Sequence, residues 1–452
     1  MAIIARNFIL LRFTTMLKSV LPLSFIIATR FFGLFILLPV LSLYALSLRG
    51  ANEDLIGLLF GIYAITQMIL QTPFGVLSDK IGRKNTLAIG LCVFIIGSSV
   101  CAFSEEIHAM IFGRFLQGCG AVGAVATALI SDFTTEEERG KAMAIMGAMI
   151  GVSFGAAMIL SPYLSAKYGL ASLFHLSSAL TFLCLLLLFL VIPKEPQIRS
   201  FKQKIPLPLL LKDRNLMLMN LTNFFQKAFM TTAFLLIPIL LVQKLGLSKN
   251  DLIKVYALAA VFGFVSMGAS GALGEKKALA KQLLLLGICF FVLSYLIFAL
   301  AHSAGIFIVG VMIFFVGFNV HEPIMQSLAS KFAKASQKGA ALGIFNSFGF
   351  FGSFIGGLCG GILFGKIGVF ALGIAVAALG CVWFILLLSL TDPKIFKNLY
   401  FQKGADGDFA ALKDQNGVIE IYETDKNLVV KFNSNLINEE QIYKTLKGQN
   451  GI

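Results

Sequence analysis

Four charged side chains stand where charge is costly. Arg30, Arg114, Lys227 and Glu322 each fall inside a long apolar run. An ionised group inside hydrocarbon is expensive unless it faces water or a partner, so each is a candidate for ion or solute handling. Glu322 is the only carboxylate in the interior of any such run. Burial raises the pKa of such a carboxylate towards neutrality, which a proton carrier needs, and the alternative is a satisfied structural carboxylate. His321 is next in sequence and could share the proton, but successive residues of a helix point about 100° apart. Arg30 reads as a cation lining a cavity, or as an arginine that snorkels from near a helix end. Lys227 either faces such a cavity or snorkels.

Uncharged polar residues mark the same interior. Tyr63, Gln67 and Gln71 are spaced four apart and share one helix face. With Gln117 and Asn319 they are the candidates for contact with a small molecule in a cavity. The competing reading is that they hold helices together. A third cluster, Gly75-Val-Leu-Ser-Asp79-Lys-Ile-Gly82-Arg83-Lys84, is a short turn between two apolar runs. It forces the two runs to lie side by side and sets a carboxylate among cations at a membrane surface.

The elements that must position these groups are membrane-spanning helices. Of 452 residues, 58% are hydrophobic and only 13% are charged, where a soluble chain carries about a quarter. Apolar runs of this length satisfy their backbone only as helices. Twelve are read, at about 20–46, 52–77, 85–104, 107–132, 140–166, 170–192, 216–243, 251–273, 279–301, 303–330, 338–367 and 369–391. Lysine and arginine divide twenty to six in favour of the side that holds both termini, so that side is expected to be cytoplasmic. The net charge of +14 follows from this bias and needs no nucleic acid. The seven cysteines lie singly in apolar runs, without metal-ligand spacing. No nucleophile, metal cluster or paired carboxylates stand at catalytic spacing, and residues 1–19 do not resemble a cleavable signal.

The chain divides into a six-helix unit (1–192), a basic, proline-containing linker (193–215), a second six-helix unit (216–392) and a polar tail (396–452). After span eight, Gly271-Ala-Leu-Gly-Glu275-Lys-Lys277 reads as a worn copy of the first loop. Two such units argue for parallel repeats around a midplane site. Glycines 147, 151 and 155 in span five, and those from 352 to 361 in span eleven, read as close-packing faces. The tail reads β-α-β-β-α, a small ferredoxin-like domain without a clear last strand. It has no cysteine, which disfavours metal delivery.

The loop pattern G-x-L-x-D-x-x-G-R-K resembles the signature loop between helices two and three of the major facilitator superfamily. Arg114-x-x-Gln117-Gly118 resembles that superfamily's fourth-helix motif, whose arginine is associated with proton coupling. The span-two stripe, Phe318-Asn319 with Glu322, and the tail together resemble the YajR-like group of proton-driven bacterial exporters. This resemblance implies that Asp132 holds Arg83 and that Asp79 faces the N-terminus of a helix in the second half, most plainly span eleven. Both contacts would form when the cytoplasmic side is closed. Gly75, Asp79, Gly82, Arg83, Lys84 and Asp132 would then act as a conformational latch, the alternative being a static surface salt bridge. Arg30, Arg114, His321 and Glu322 would serve proton coupling.

The expectation is therefore an all-α polytopic protein of the bacterial inner membrane with a small α+β tail. It would exchange protons for small amphipathic compounds by alternating access, with no cofactor, metal or catalytic residue. Its partners would be a small-molecule substrate, protons and membrane lipid. A proton-coupled importer and a non-transporting sensor are the alternatives.

Overall fold

The computed structural model describes residues 2–134, 136–193, 207–276, 279–334, 337–402, 409–413, 415–423 and 427–447. Among them, ten helices are long and apolar enough to cross a membrane. One, α14 (Lys338–Leu388), contains two spans joined at Gly368, whose φ of 71° only glycine adopts easily. The apolar part of α1 (Ala2–Phe35) supplies one more span with the short α2 (Leu41–Ala45). The first six spans use α1 and α2, α3 (Glu53–Ile81), α4 (Arg83–Ala102), α5 (Ile107–Cys119) with α6 (Gly123–Asp132), α7 (Glu136–Tyr168) and α8 (Ala171–Leu190). After the short α9 (Leu207–Lys212) come α10 (Arg214–Ile239), α11 (Asp251–Lys276), α12 (Ala280–Leu300), α13 (Ala304–Phe332) and α14. Most of the 193–215 linker, and the side chains of Arg6, Arg12, Lys18, Glu275, Lys276 and Lys277, lie outside the described residues.

Two spans are broken where one helix was expected. The first stops at Phe35 and resumes at Leu41. Pro39 has no N–H to continue the ladder and crowds the preceding turn. The fourth breaks between Cys119 and Gly123, at a run rich in glycine. That break frees carbonyl oxygens inside the membrane, and these must find donors.

The two sets of spans meet at one end and part at the other. At the end opposite the Gly75–Lys84 loop, α3 and α14 touch backbone to backbone. A Cβ on Gly57 would lie 2.6 Å from the Gly357 oxygen, and one on Gly361 would lie 2.6 Å from the Glu53 oxygen. One buried cluster there joins Ile36, Phe60, Phe154 and Phe174 to Phe234 and Phe315 of the second set. At the loop end, Leu23, Leu129, Ile130 and Ile192 form a core of their own. A Cβ on Gly75, Gly147, Gly339 or Gly343 would meet nothing within 4 Å. The close-packing reading of span five therefore holds at Gly155, against Phe264, and fails at Gly147. Span eleven has two glycine faces, Gly352 and Gly356 against α10 and Gly357 and Gly361 against α3.

A repeated detail ties the two sets together. Lys84, six residues before Gly90, donates to the Ile192 oxygen at 2.7 Å, just past the end of α8. Lys281, six residues before Gly287, donates to the oxygens of Leu388 and Leu390 at 2.8 and 2.6 Å, at the end of α14. Each lysine satisfies carbonyls that the last turn leaves open and complements the negative end of the helix dipole.

In the tail, β1 (Phe396–Gln402), β2 (Val418–Glu423) and β3 (Asn427–Asn433) form an antiparallel sheet in the order β1-β3-β2. Helices α15 (Phe409–Lys413) and α16 (Glu439–Lys447) close a core of Leu412, Val430, Phe432, Ile442 and Leu446. The tail docks on the loop end of α13. Lys431 is buried and donates to the oxygens of Lys331 and Ala333 at 2.5 and 2.9 Å, and Phe396 packs edge-on against Phe332.

Candidate transport pathway

The loop is held by Arg83. Its Nε donates to Asp132 at 3.2 Å, its Nη1 pairs with Asp79 at 2.7 Å, and Ser78 Oγ accepts from the same Nη1. Gly82, with φ of 95°, makes the tight turn between α3 and α4. Asp79 is thus ion-paired within its own turn, while the span-eleven glycines Gly339 and Gly343 face open space.

In the first set, Arg30 reaches the break in span four. Its Nη2 donates to the oxygens of Gln117 and Gly120 at 3.0 and 3.2 Å, which also accept from backbone N–H groups of the break, and its Nη1 donates to the Tyr63 hydroxyl at 3.1 Å. Its guanidinium lies 3.8 Å from the centre of the Phe94 ring. Arg114 donates to Gln117 Oε1 at 2.7 Å, stacks over Tyr63, and is only 1% exposed. Gln117 in turn donates to Ser98, and Gln67 donates to the Gly120 oxygen. Tyr63, Gln67 and Gln117 are all buried. They tie α3, α4 and α5 together, so the helix-joining reading describes them better than open contact with a cavity. Gln71 is partly buried, and its Nε2 lies 3.7 Å from where a Cβ on Gly123 would stand.

In the second set, Glu322 has two partners, as the alternative of a satisfied carboxylate requires. Lys227 Nζ lies 2.6 Å from its Oε1, and Gln226 Nε2 donates to the same oxygen at 3.0 Å. Lys227 also sits over the Phe318 ring. The Lys227 and Glu322 side chains are 25% and 30% exposed, so the pair is reachable, unlike Arg114. His321 is fully buried and turned away. Its Nε2 donates to the Leu284 oxygen at 2.8 Å, and its ring packs against Phe291 and Trp383. It belongs to the core and not to the Glu322 cluster. Asn319 is buried too, bonded to the Phe315 oxygen of its own helix and pressed against Gly263. The sequence reading missed Lys227 as Glu322's partner, although unlike charges inside a membrane usually pair.

These features, two six-helix sets with a repeated loop-end lysine, a charged turn and paired intramembrane charges, frame the comparison with known proteins. The family model described as Major Facilitator Superfamily matches residues 23–357 and 280–421. The chain belongs to the Major Facilitator Superfamily. It is a multi-pass membrane transporter, and this family consists of transporters rather than enzymes. It is 32% identical to the Inner membrane transport protein YajR of Escherichia coli (strain K12), over 94% of this chain and 96% of that one. It is 27% identical to the Quinolone resistance protein NorA of Staphylococcus aureus, over 77% of this chain and 90% of that one. Among solved structures, the human organic anion transporter MFSD10 aligns with a TM-score of 0.64 at 17% identity, covering 82% of this chain and 99% of that one. The nucleoside transporter NupG aligns with a TM-score of 0.65 at 13% identity, covering 82% and 99%. These two likenesses concern the fold alone. As a member of this superfamily the protein handles a small-molecule substrate, and its small sheet domain matches a YajR-like tail.

Proposed function

We propose that this protein is a proton-coupled exporter of small amphipathic compounds in the bacterial inner membrane. The structure then represents its inward-open state. Both termini and the Gly75–Lys84 loop face the cytoplasm, in line with the lysine and arginine bias. The relative named as an inner membrane protein supports the location, and the one named for quinolone resistance supports export.

The single observation that carries the reading is the Lys227–Glu322 pair, 2.6 Å apart and partly exposed between two helices of the second half. Protonation of Glu322 removes its charge and releases Lys227, which changes the cost of closing the halves around the pair. The units 1–192 and 216–392 rock as bodies about the linker 193–215, and the tail 396–452 rides on the second. When the loop end closes, the α3–α14 contact extends along its antiparallel register, from Gly57 and Gly361 towards Gly75 and Gly339. Asp79 then comes to the N-terminus of α14, whose dipole welcomes a carboxylate. Arg83, Lys84, Gly82 and Asp132 hold the loop in shape for that contact.

The test is transport by full-length protein in proteoliposomes under an imposed pH gradient, with ethidium as the solute. The wild type accumulates ethidium against its gradient. Glu322→Gln loses gradient-driven accumulation and keeps downhill exchange. Gradient-driven transport by Glu322→Gln at the wild-type rate would exclude Glu322 as the coupling site.

A further inference from the structure

The tail meets the second set of spans around a cavity of about 440 Å³ at the loop end. That volume is in the range of small-molecule sites, about 300–1,000 Å³. Its walls come from three spans and from the turn that enters the tail. Gly271 and Gly274 of α11, Ala280 of α12, and Ser327 and Lys331 of α13 form one side, and Lys394 forms part of the other. Among the described residues the walls hold two lysines and no carboxylate. Both lysines are exposed, and neither is in an ion pair among the described residues. Asp392 is a carboxylate that bears on Lys331, and its oxygen accepts from the Lys394 N–H at 3.0 Å as the cap of the turn Pro393–Ile395. Behind the wall, Lys431 and Lys338 add positive charge that Asp213 and Glu420 offset.

The start of α12 adds to the same sign. Its first turn has no side-chain cap, and Ala280 sets that turn, with the positive end of the helix dipole, at the cavity wall. The Lys281 amine is committed elsewhere, to the oxygens of Leu388 and Leu390. Lys331 belongs to the transport unit and Lys394 to the entry of the tail. Bringing their two ammonium groups to one cavity works against docking, and an oxyanion between them reverses the sign of that term.

We propose that this cavity binds a phosphate-bearing anion, with Lys331 and Lys394 as the ammonium pair on the phosphate and Ser327 as a hydroxyl donor. The site is complete only when the tail is docked, so the anion binds the docked form and holds the tail against the second set of spans. The phosphate comes from a phospholipid headgroup of the adjoining leaflet or from a soluble phosphate compound, since both offer the same oxygens. The site is separate from the Lys227–Glu322 pair and requires neither proton coupling nor a direction of transport.

The experiment is equilibrium dialysis of radiolabelled pyrophosphate against full-length protein in phosphatidylcholine nanodiscs, with empty nanodiscs subtracted. Saturable binding is expected. Lys331→Gln and Lys394→Gln, checked for native size-exclusion behaviour, should each weaken it about tenfold, and the double variant should lose it. Lys254→Gln, at the far end of α11, should leave it unchanged. Pyrophosphate should also protect the tail from proteinase K in the wild type but not in the double variant. Nanodiscs containing phosphatidylglycerol separate the two sources. Tail protection there without pyrophosphate, lost in the double variant, assigns the site to a lipid headgroup, and pyrophosphate binding unaffected by that lipid assigns it to a soluble phosphate compound. Neither pyrophosphate binding nor lipid-dependent protection, or an effect that the double variant keeps, would overturn the site. Binding that leaves the protease sensitivity of the tail unchanged would overturn its link to docking.

Discussion

Gly361 offers a direct way to move the conformational equilibrium. A Cβ there would stand 2.6 Å from the Glu53 oxygen and the Gly57 Cα, and 2.8 Å from the Gly57 nitrogen, where ordinary contact begins at 3.4 Å. All three are backbone atoms, so no side-chain rotation relieves the overlap. Gly361→Val must therefore prise α3 and α14 apart by about 1 Å, and overpacking of this kind costs about 1–3 kcal/mol. That penalty falls only on the state in which these ends touch. The ratio of outward-open to inward-open protein should rise by about 5- to 150-fold. Spin labels at Asn85 and Ser389, two exposed positions at the loop ends of the two halves, report it by double electron–electron resonance in a cysteine-free background. The variant should shift the distance distribution to shorter values. Gly75→Val, at a position with open space in this state, should leave the inward-open population intact or enlarged. A distribution unchanged by Gly361→Val in properly inserted protein would refute the argument that this seam belongs to one state.

Asp79→Asn should abolish transport while insertion and thermal stability stay near wild type, because a partly exposed ion pair such as Asp79–Arg83 is worth under about 1 kcal/mol. Full efflux by that variant would reject a latch at this turn. In the tail, burial holds the Lys431 ammonium down at about 8, with Lys331 and Lys338 adding repulsion and Glu420 and Asp213 opposing it. Free lysine titrates near 10.4, so between those values the released tail binds more protons than the docked one. Docking should thus be insensitive to pH below about 8 and strengthen as pH rises above it. Protection of the tail from protease, measured across that range, checks the sign, and protection that falls above pH 8 would contradict it.

Much of the helix count was readable, because hydrocarbon tolerates few other backbone solutions and the apolar runs are long. The broken spans were less so. Pro39 and the glycines around Gly120 were in view, but a continuous apolar run hides a break whose carbonyls are satisfied from another helix. Arg30 is that distant donor, and its role depends on α1 lying beside α5 and α6, which spacing along the chain does not encode. Tyr63, Gln67, Gln117 and Asn319 look alike as polar residues in apolar helices. Whether such a group faces a cavity or a neighbouring helix is a property of the packing. Lys227 and Glu322 could have been paired by sign alone, as two opposite charges in one six-helix set. The worn copy read at 271–277 stops short of Lys281. Lys281, at the position equivalent to Lys84, shares its task because each is the second residue of a helix that starts beside the end of the last span of its set.

The central claim is that the two halves close at the loop end to carry solute across. Cysteines placed at Gly75 and Gly339, both facing open space here, lie on the continuation of the α3–α14 register. Cross-linked by disulfide in a cysteine-free background, they should stop solute flux, and a reductant should restore it. Undiminished flux through fully cross-linked protein would contradict the account.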